Sequence, residues 1–172
     1  VTSCIMLSGE CAMGKYPVEC VETMVKISKS IEGSINYWKR FNKKNFKIDS
    51  EDLEKNIAYT TCVTAQKVEA DAIVAYTHKG DSVRNIAGMG PGCPIFAVTD
   101  SEKTFYQLSI VWNVMPILVK GQSTIEDTIQ KGIEILESQG HLEKGDKVVL
   151  AGGPKILPNA TENKVIGGVA RV

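Results

Sequence analysis

From Ala72 onward the chain alternates short apolar runs with stretches of helical periodicity, and this alternation restricts the fold more than any other feature of the sequence. Ala72-Ile73-Val74-Ala75-Tyr76, Ile95-Phe96-Ala97-Val98, Val114-Met115-Pro116-Ile117-Leu118-Val119 and Lys147-Val148-Val149-Leu150-Ala151 are too short for core helices. They lack a polar face, as strands buried on both sides do. Helices are predicted between them, over Ser82 to Met89, Glu102 to Ile110 and Thr124 to Ser138. A further helix starts at Ser50, with Leu53, Ile57, Thr61, Ala65 and Val68 on one face. Strand-helix-strand succession demands crossover connections, which are right-handed and build a parallel sheet. The terminal stretch Lys164 to Val172 follows its predecessor after only a short loop, so it is expected as an antiparallel edge. The expected fold is α/β, in three layers: a mostly parallel five-stranded sheet with helices on both faces.

The first 49 residues read differently. Cys4 to Leu7 has the apolar character of a buried strand, and Pro17 sits where proline favours the first turn of a helix. Cys20, Met24, Ile27 and Ile31 then recur at helical spacing, flanked by Val21 and Val25, until Gly33. Between Ser34 and Asp49 the sequence turns to Asn, Lys and scattered aromatics with no sustained period, which predicts a linker. Lys43, Lys44 and Lys47 are too few, with acidic residues on either side, to make a nucleic-acid patch, and a solvated hinge is expected.

Composition narrows the function classes. Twenty basic and twenty acidic side chains cancel, so no field draws the chain to nucleic acid or an acidic membrane. No apolar run approaches the ~18 residues of a membrane span, and Val1 is followed by no secretory signal pattern, so a cytoplasmic location is expected. Five cysteines at irregular spacing, without a Cys-x-x-Cys pair and with only His78 and His141 beside them, argue against a structural zinc. Cys4, Cys20 and Cys62 are expected as small buried hydrophobes. Gly88, Gly90 and Gly92 follow a helix and precede a strand, the reverse of the order a dinucleotide fingerprint requires.

Several segments carry a resemblance. Cys4-Ile5-Met6-Leu7-Ser8-Gly9-Glu10, continuing to Pro17-Val18-Glu19, resembles the last strand of the catalytic barrel of pyruvate kinases. Asp71 to Thr77, Pro94 to Thr99, Gln107 to Ile117 and Lys144 to Val149 resemble the C-terminal domain of that family, in the same order and at matching gaps. The resemblance implies three parts: a remnant of the (β/α)8 barrel over residues 1–33, a linker over 34–49 and an α/β regulatory domain over 50–172. It also implies that the chain is the C-terminal regulatory and oligomerisation portion of a glycolytic enzyme that transfers a phosphoryl group from phosphoenolpyruvate to ADP. The implied partners are the chain's own N-terminal barrel and further copies of itself, a tetramer in the family. Mg2+ and K+ are implied for the parent enzyme and no cofactor for this portion.

The residues that perform the transfer in the family come from earlier barrel strands, so this portion is expected to be catalytically inactive. Ser8, Gly9 and Glu10 match only the rim of the active-site mouth. The loop Thr77-His78-Lys79-Gly80-Asp81-Ser82 joins a parallel strand to a helix, where unpaired backbone N–H groups and the positive end of the dipole favour an anion. In the family the equivalent loop grips a phosphate of a sugar-phosphate activator in many members. Thr77, Gly80 and Ser82 keep that pattern, Lys79 adds a cation, and Asp81 introduces an opposing carboxylate. Lys155, in the loop between the last two strands, is a candidate second phosphate contact. A sugar-phosphate or nucleotide effector is the implied ligand. Two alternatives stand beside this reading: a free-standing module binding phosphorylated metabolites, and a purely structural assembly domain.

Overall fold

The computed structural model describes residues 4–44, 46–47, 49–152 and 167–172. Its centre is a five-stranded sheet of β1 (Ala72–Tyr76), β2 (Ile95–Thr99), β3 (Val114–Leu118), β4 (Lys147–Ala151) and β5 (Gly167–Arg171), in the order β3-β2-β1-β4-β5. All neighbours are parallel except β4 and β5, which pair antiparallel with Val149 opposite Val169. The predicted architecture and its single antiparallel edge are both present.

Helices occupy both faces, and the period-two alternation of the strands decides which residues meet them. Ile73 and Ala75 of β1, with Ile95 and Ala97 of β2, join one core with α4 (Leu53–Lys67), α5 (Asp81–Met89) and α6 (Glu102–Leu108). Ala72, Val74, Phe96 and Val98 point the other way, to Ile133 and Leu136 of α7 (Ile125–Ser138). The helices joining β1 to β2 and β2 to β3 share one face because the chain steps in one direction. α7 takes the opposite face because it returns from the β3 edge to β4, as right-handed crossovers require. Gly132 lets α7 approach closely: a Cβ there would stand 2.6 Å from a Val98 methyl carbon.

The helix face predicted from Ser50 is rotated. α4 buries Ala58, Thr61, Cys62 and Ala65, while Leu53 is exposed at its first turn. Small residues face the sheet because α5 packs alongside on the same surface, which leaves no room for a row of larger ones. The predicted helix to Ile110 ends instead at Leu108, with Ser109 as its cap.

The N-terminal region departs further from expectation. Residues 4–8 form no strand, and Cys4, Ile5 and Met6 are exposed. A parallel strand needs neighbours to accept its backbone bonds, and none lies beside this segment among the described residues. Ser8 precedes a single helical turn, α1 (Gly9–Ala12), and α2 follows over Pro17–Glu32 with proline at its start and Gly33 at its end, as the sequence predicts. The stretch 34–49, read from composition as a linker and solvated hinge, contains α3 (Tyr37–Lys43). The Asn36 side chain caps α3 by accepting from Lys39 N–H, and Phe41 is buried at 3% exposure against Trp38 and Tyr59. Lys44, though exposed, is tied down. Its ammonium donates to the Gly88 and Met89 carbonyls at the end of α5, at 3.0 and 2.8 Å. No helix among the described residues is long and apolar enough to cross a membrane.

Candidate functional site

Open α/β sheets bind ligands beyond the carboxyl ends of their strands, beside the point where the strand order reverses. Here that point is β1, from which the chain first proceeds to β2 and later returns to β4 on the other side. The loop leaving β1 is Thr77 to Gly80, followed at once by α5. Gly80 has φ +94°, in the left-handed region, so the chain reverses sharply into the helix. Thr77 is buried, and its hydroxyl accepts from Gly80 N–H at 2.8 Å. Thr77 thereby holds the turn through its oxygen, with its O–H proton still available to donate. The N–H groups of Asp81, Ser82 and Val83 begin α5 and have no partner inside the helix.

His78 and Lys79 are exposed at the tip of the loop. His78 Nδ1 stands 2.6 Å from Asp100 Oδ1, just beyond the end of β2, and the His78 carbonyl accepts from Thr104 Oγ1 at 2.7 Å. The loop is therefore tied at two points, to the end of β2 and to α6. Asp100 also acts on Tyr76: burial, then the charge and hydrogen bond of Asp100, push the Tyr76 phenol above its ordinary range.

One contributor was not singled out from sequence. The Arg84 guanidinium lies over Gly80, where a Cβ would meet Nη1 at 2.9 Å. Nη1 donates to the Lys79 carbonyl at 3.1 Å and to Asp81 Oδ1 at 3.2 Å, while Nη2 donates to Gln107 Oε1 at 3.2 Å. The i,i+3 spacing of Asp81 and Arg84 across the start of the predicted helix was the available signal. The pair is largely exposed and adds at most about 1 kcal/mol of stability. Its electrostatic effect at the loop is more important, because the carboxylate that opposed an anion is now offset by a cation.

The other candidates lie apart. Ser8, Gly9 and Glu10 are exposed on the N-terminal segment at the start of α1. Lys155 falls outside the described residues. A second cleft, of about 620 Å3, opens along the same edge of the sheet, with Tyr76, Asp100, Lys120, Ser123 and Thr124 in its lining. Among the described residues, no group of three or more His, Cys, Asp or Glu side chains is placed to hold a metal ion.

Comparisons with known proteins agree on one relationship. Residues 55–165 match the family model described as pyruvate kinase, alpha/beta domain. The pyruvate kinase of Clostridium acetobutylicum is 37% identical over 164 residues, covering 94% of this chain and 34% of that protein. That of Sporosarcina psychrophila is 34% identical over 162 residues, covering 94% and 28%. Among solved structures, Cryptosporidium parvum pyruvate kinase in complex with ADP superposes with a TM-score of 0.78 at 23% identity, over 98% of this chain and 33% of that one. This last likeness is one of fold. The chain spans about a third of the length of the curated relatives it matches.

Proposed function

The chain belongs to the pyruvate kinase alpha/beta domain family, and from that premise we propose that it serves as the C-terminal regulatory and assembly portion of a pyruvate kinase. In this reading residues 1–33 correspond to the last strand-helix unit of the catalytic barrel, of which the helix is formed among the described residues and the strand is not, and residues 50–172 are the regulatory domain. The parent enzyme transfers a phosphoryl group from phosphoenolpyruvate to ADP in glycolysis, in the cytoplasm, as a homo-oligomer using Mg2+ and K+. By itself this portion is inactive, since phosphoryl transfer needs cations positioned at the phosphate and a proton donor for the enolate.

One observation carries the regulatory reading: the loop after β1 brings the open start of α5, the Ser82 side chain, Lys79 and Arg84 to one strand end. Such a site suits a phosphate of a sugar-phosphate or nucleotide effector. Unpaired N–H groups donate to a phosphate oxygen without rearrangement, and each charge-assisted bond is worth about 1.5–3 kcal/mol. The apolar surface of α2 supports the assembly reading, because a helix that exposes Val18, Val21, Val25, Ile27 and Ile31 is built to be covered.

Calorimetric titration with fructose 1,6-bisphosphate, ribose 5-phosphate and AMP tests the proposal. The unaltered chain should bind at least one of them, Ser82→Ala should weaken binding about tenfold or more, and Asp81→Asn should tighten it by releasing Arg84. If no phosphorylated metabolite binds at millimolar concentration, the regulatory reading falls and a purely structural role takes its place. A coupled assay with phosphoenolpyruvate, ADP, Mg2+ and K+ should show no turnover above blank.

A further inference from the structure

Cys11 and Cys20 meet at the elbow between α1 and α2. Cys11 lies at the end of α1, and its Sγ–H donates to the Pro17 carbonyl at 3.5 Å. Cys20 stands three residues beyond Pro17 on the same helix, and a helical side chain leans toward the N-terminus, over the turn that Pro17 begins. Its Sγ–H reaches back to the Glu10 carbonyl, the residue before Cys11, at 3.9 Å. Each thiol thus donates across the elbow, Cys11 to the start of α2 and Cys20 to α1. Both side chains are partly accessible. Partial burial, then the neighbouring Cys20 and Glu10, raise the Cys11 thiol above its ordinary range.

The remaining cysteines are differently placed. Cys62 and Cys93 are buried, and burial first of all pushes their thiols up to about 12 and about 11, which keeps them protonated and inert. Cys4 is exposed, but its Sγ–H is directed at the Ile110 carbonyl, 3.8 Å away, outside this elbow. Burial had been expected for Cys4, and its exposure follows from the missing strand neighbours.

We propose that Cys11 and Cys20 form a peroxide-responsive disulfide that pins the turn bearing Ser8, Gly9 and Glu10 to the first turns of α2. The Cys20 thiolate, not the Cys11 thiol whose surroundings favour its protonated form, attacks an oxygen of hydrogen peroxide, the O–O bond breaks, and a sulfenic acid and hydroxide result. The second thiolate attacks the sulfenic sulfur, the S–S bond forms, and the S–O bond breaks as a second hydroxide leaves. The two protons lost by the thiols convert both hydroxides to water. Two thiols are thus oxidised by two electrons, and one peroxide is reduced to two waters. The device is independent of effector binding at the loop after β1.

The test uses the unaltered chain, exposed to hydrogen peroxide, blocked with an alkylating reagent and digested with trypsin, which cuts between the two cysteines at Lys15. The expected product is a pair of peptides joined through Cys11 and Cys20, which separates on reduction. Cys62 and Cys93 should be alkylated only after unfolding. Hydrogen exchange should slow over α1 and the start of α2 on oxidation, and recover on reduction. Cys11→Ser and Cys20→Ser should each abolish both effects. Recovery of Cys11 and Cys20 as separately alkylated or over-oxidised residues, or a preferred bridge from either of them to Cys4, overturns the proposal.

Discussion

Strand β1 buries all five of its side chains, whereas helix α2, with 16 residues, buries none. Both are rich in branched apolar residues, and both have local sequences suited to their conformation. The difference lies in what surrounds them. β1 has β2 on one side and β4 on the other, with α5 and α7 across its two faces. α2 packs on α1 at its start and meets the α/β domain at its end, where Trp112 Nε1–H donates to Glu32 Oε1 at 2.9 Å. Fully burying a Val or Ile contributes about 1.5–3 kcal/mol. Residues left half-exposed along α2 keep a large part of that unused, and a partner surface would recover it.

The largest expected contrast comes from deleting equivalent methyl groups in the two regions. Leu136 on α7 is fully buried, and Leu136→Ala should lower stability by about 2–5 kcal/mol in denaturant unfolding. Ile27 on α2 is 55% exposed, and Ile27→Ala should change stability by no more than about 0.5 kcal/mol. Comparable losses at the two sites would mean that α2 is packed as firmly as the sheet.

A second measurement sharpens the same contrast without substitution. Amide hydrogen exchange across Ile73 to Ala75 should report global unfolding, and exchange across Val21 to Ile31 local opening. A gap of about 3 kcal/mol, roughly a hundredfold in protection, is expected. Equal protection in a demonstrably monomeric sample would break the comparison.

The smallest effect concerns helix starts. Asp52 caps α4 by accepting from Lys55 N–H at 3.1 Å and pairs with its ammonium, whereas Tyr16 before α2 makes no side-chain cap. Asp52→Ala should cost about 1 kcal/mol, and Tyr16→Ala much less. Lys55, by side-chain and backbone hydrogen bonds, holds the Asp52 carboxyl below the usual range. The folded form therefore loses its proton more readily than the unfolded form. The cap's contribution should be complete above the ordinary aspartate range and decline as pH falls through the lowered folded value. Thermal melts from neutral pH down to acid, compared with Asp52→Ala, check both sign and size.

Strands β1 to β4 were legible because each is a short apolar run bounded by turn residues, and in β1 and β2 burial on both faces leaves no polar alternation to confuse with a helix. α3 was not legible. Its seven residues are too few to establish a period, and its place depends on Phe41 reaching a core formed by α4 and α5. The strand read over Cys4 to Leu7 failed for the converse reason: its composition suits a buried strand, and the neighbours that would make it one are not beside it. At the candidate site, the strand-to-helix position of Thr77 to Ser82 could be read directly. The inward turn of the Thr77 hydroxyl and the reach of Arg84 back over Gly80 could not, because both depend on backbone angles and side-chain directions that residue order does not specify.

By itself, then, the order of residues determined which segments are strands and helices in the α/β domain, the parallel sheet that follows from their alternation, and the strand end where an anion would be sought. These are local or topological properties, set by periodicity and by the handedness of crossovers. Tertiary structure alone decided which face of α4 is buried, that Arg84 offsets Asp81, that Cys11 and Cys20 share an elbow, and that α2 keeps its apolar side chains in solvent. Each of those depends on what stands opposite a side chain in space, and burial and electrostatics act across that distance whatever the separation along the chain.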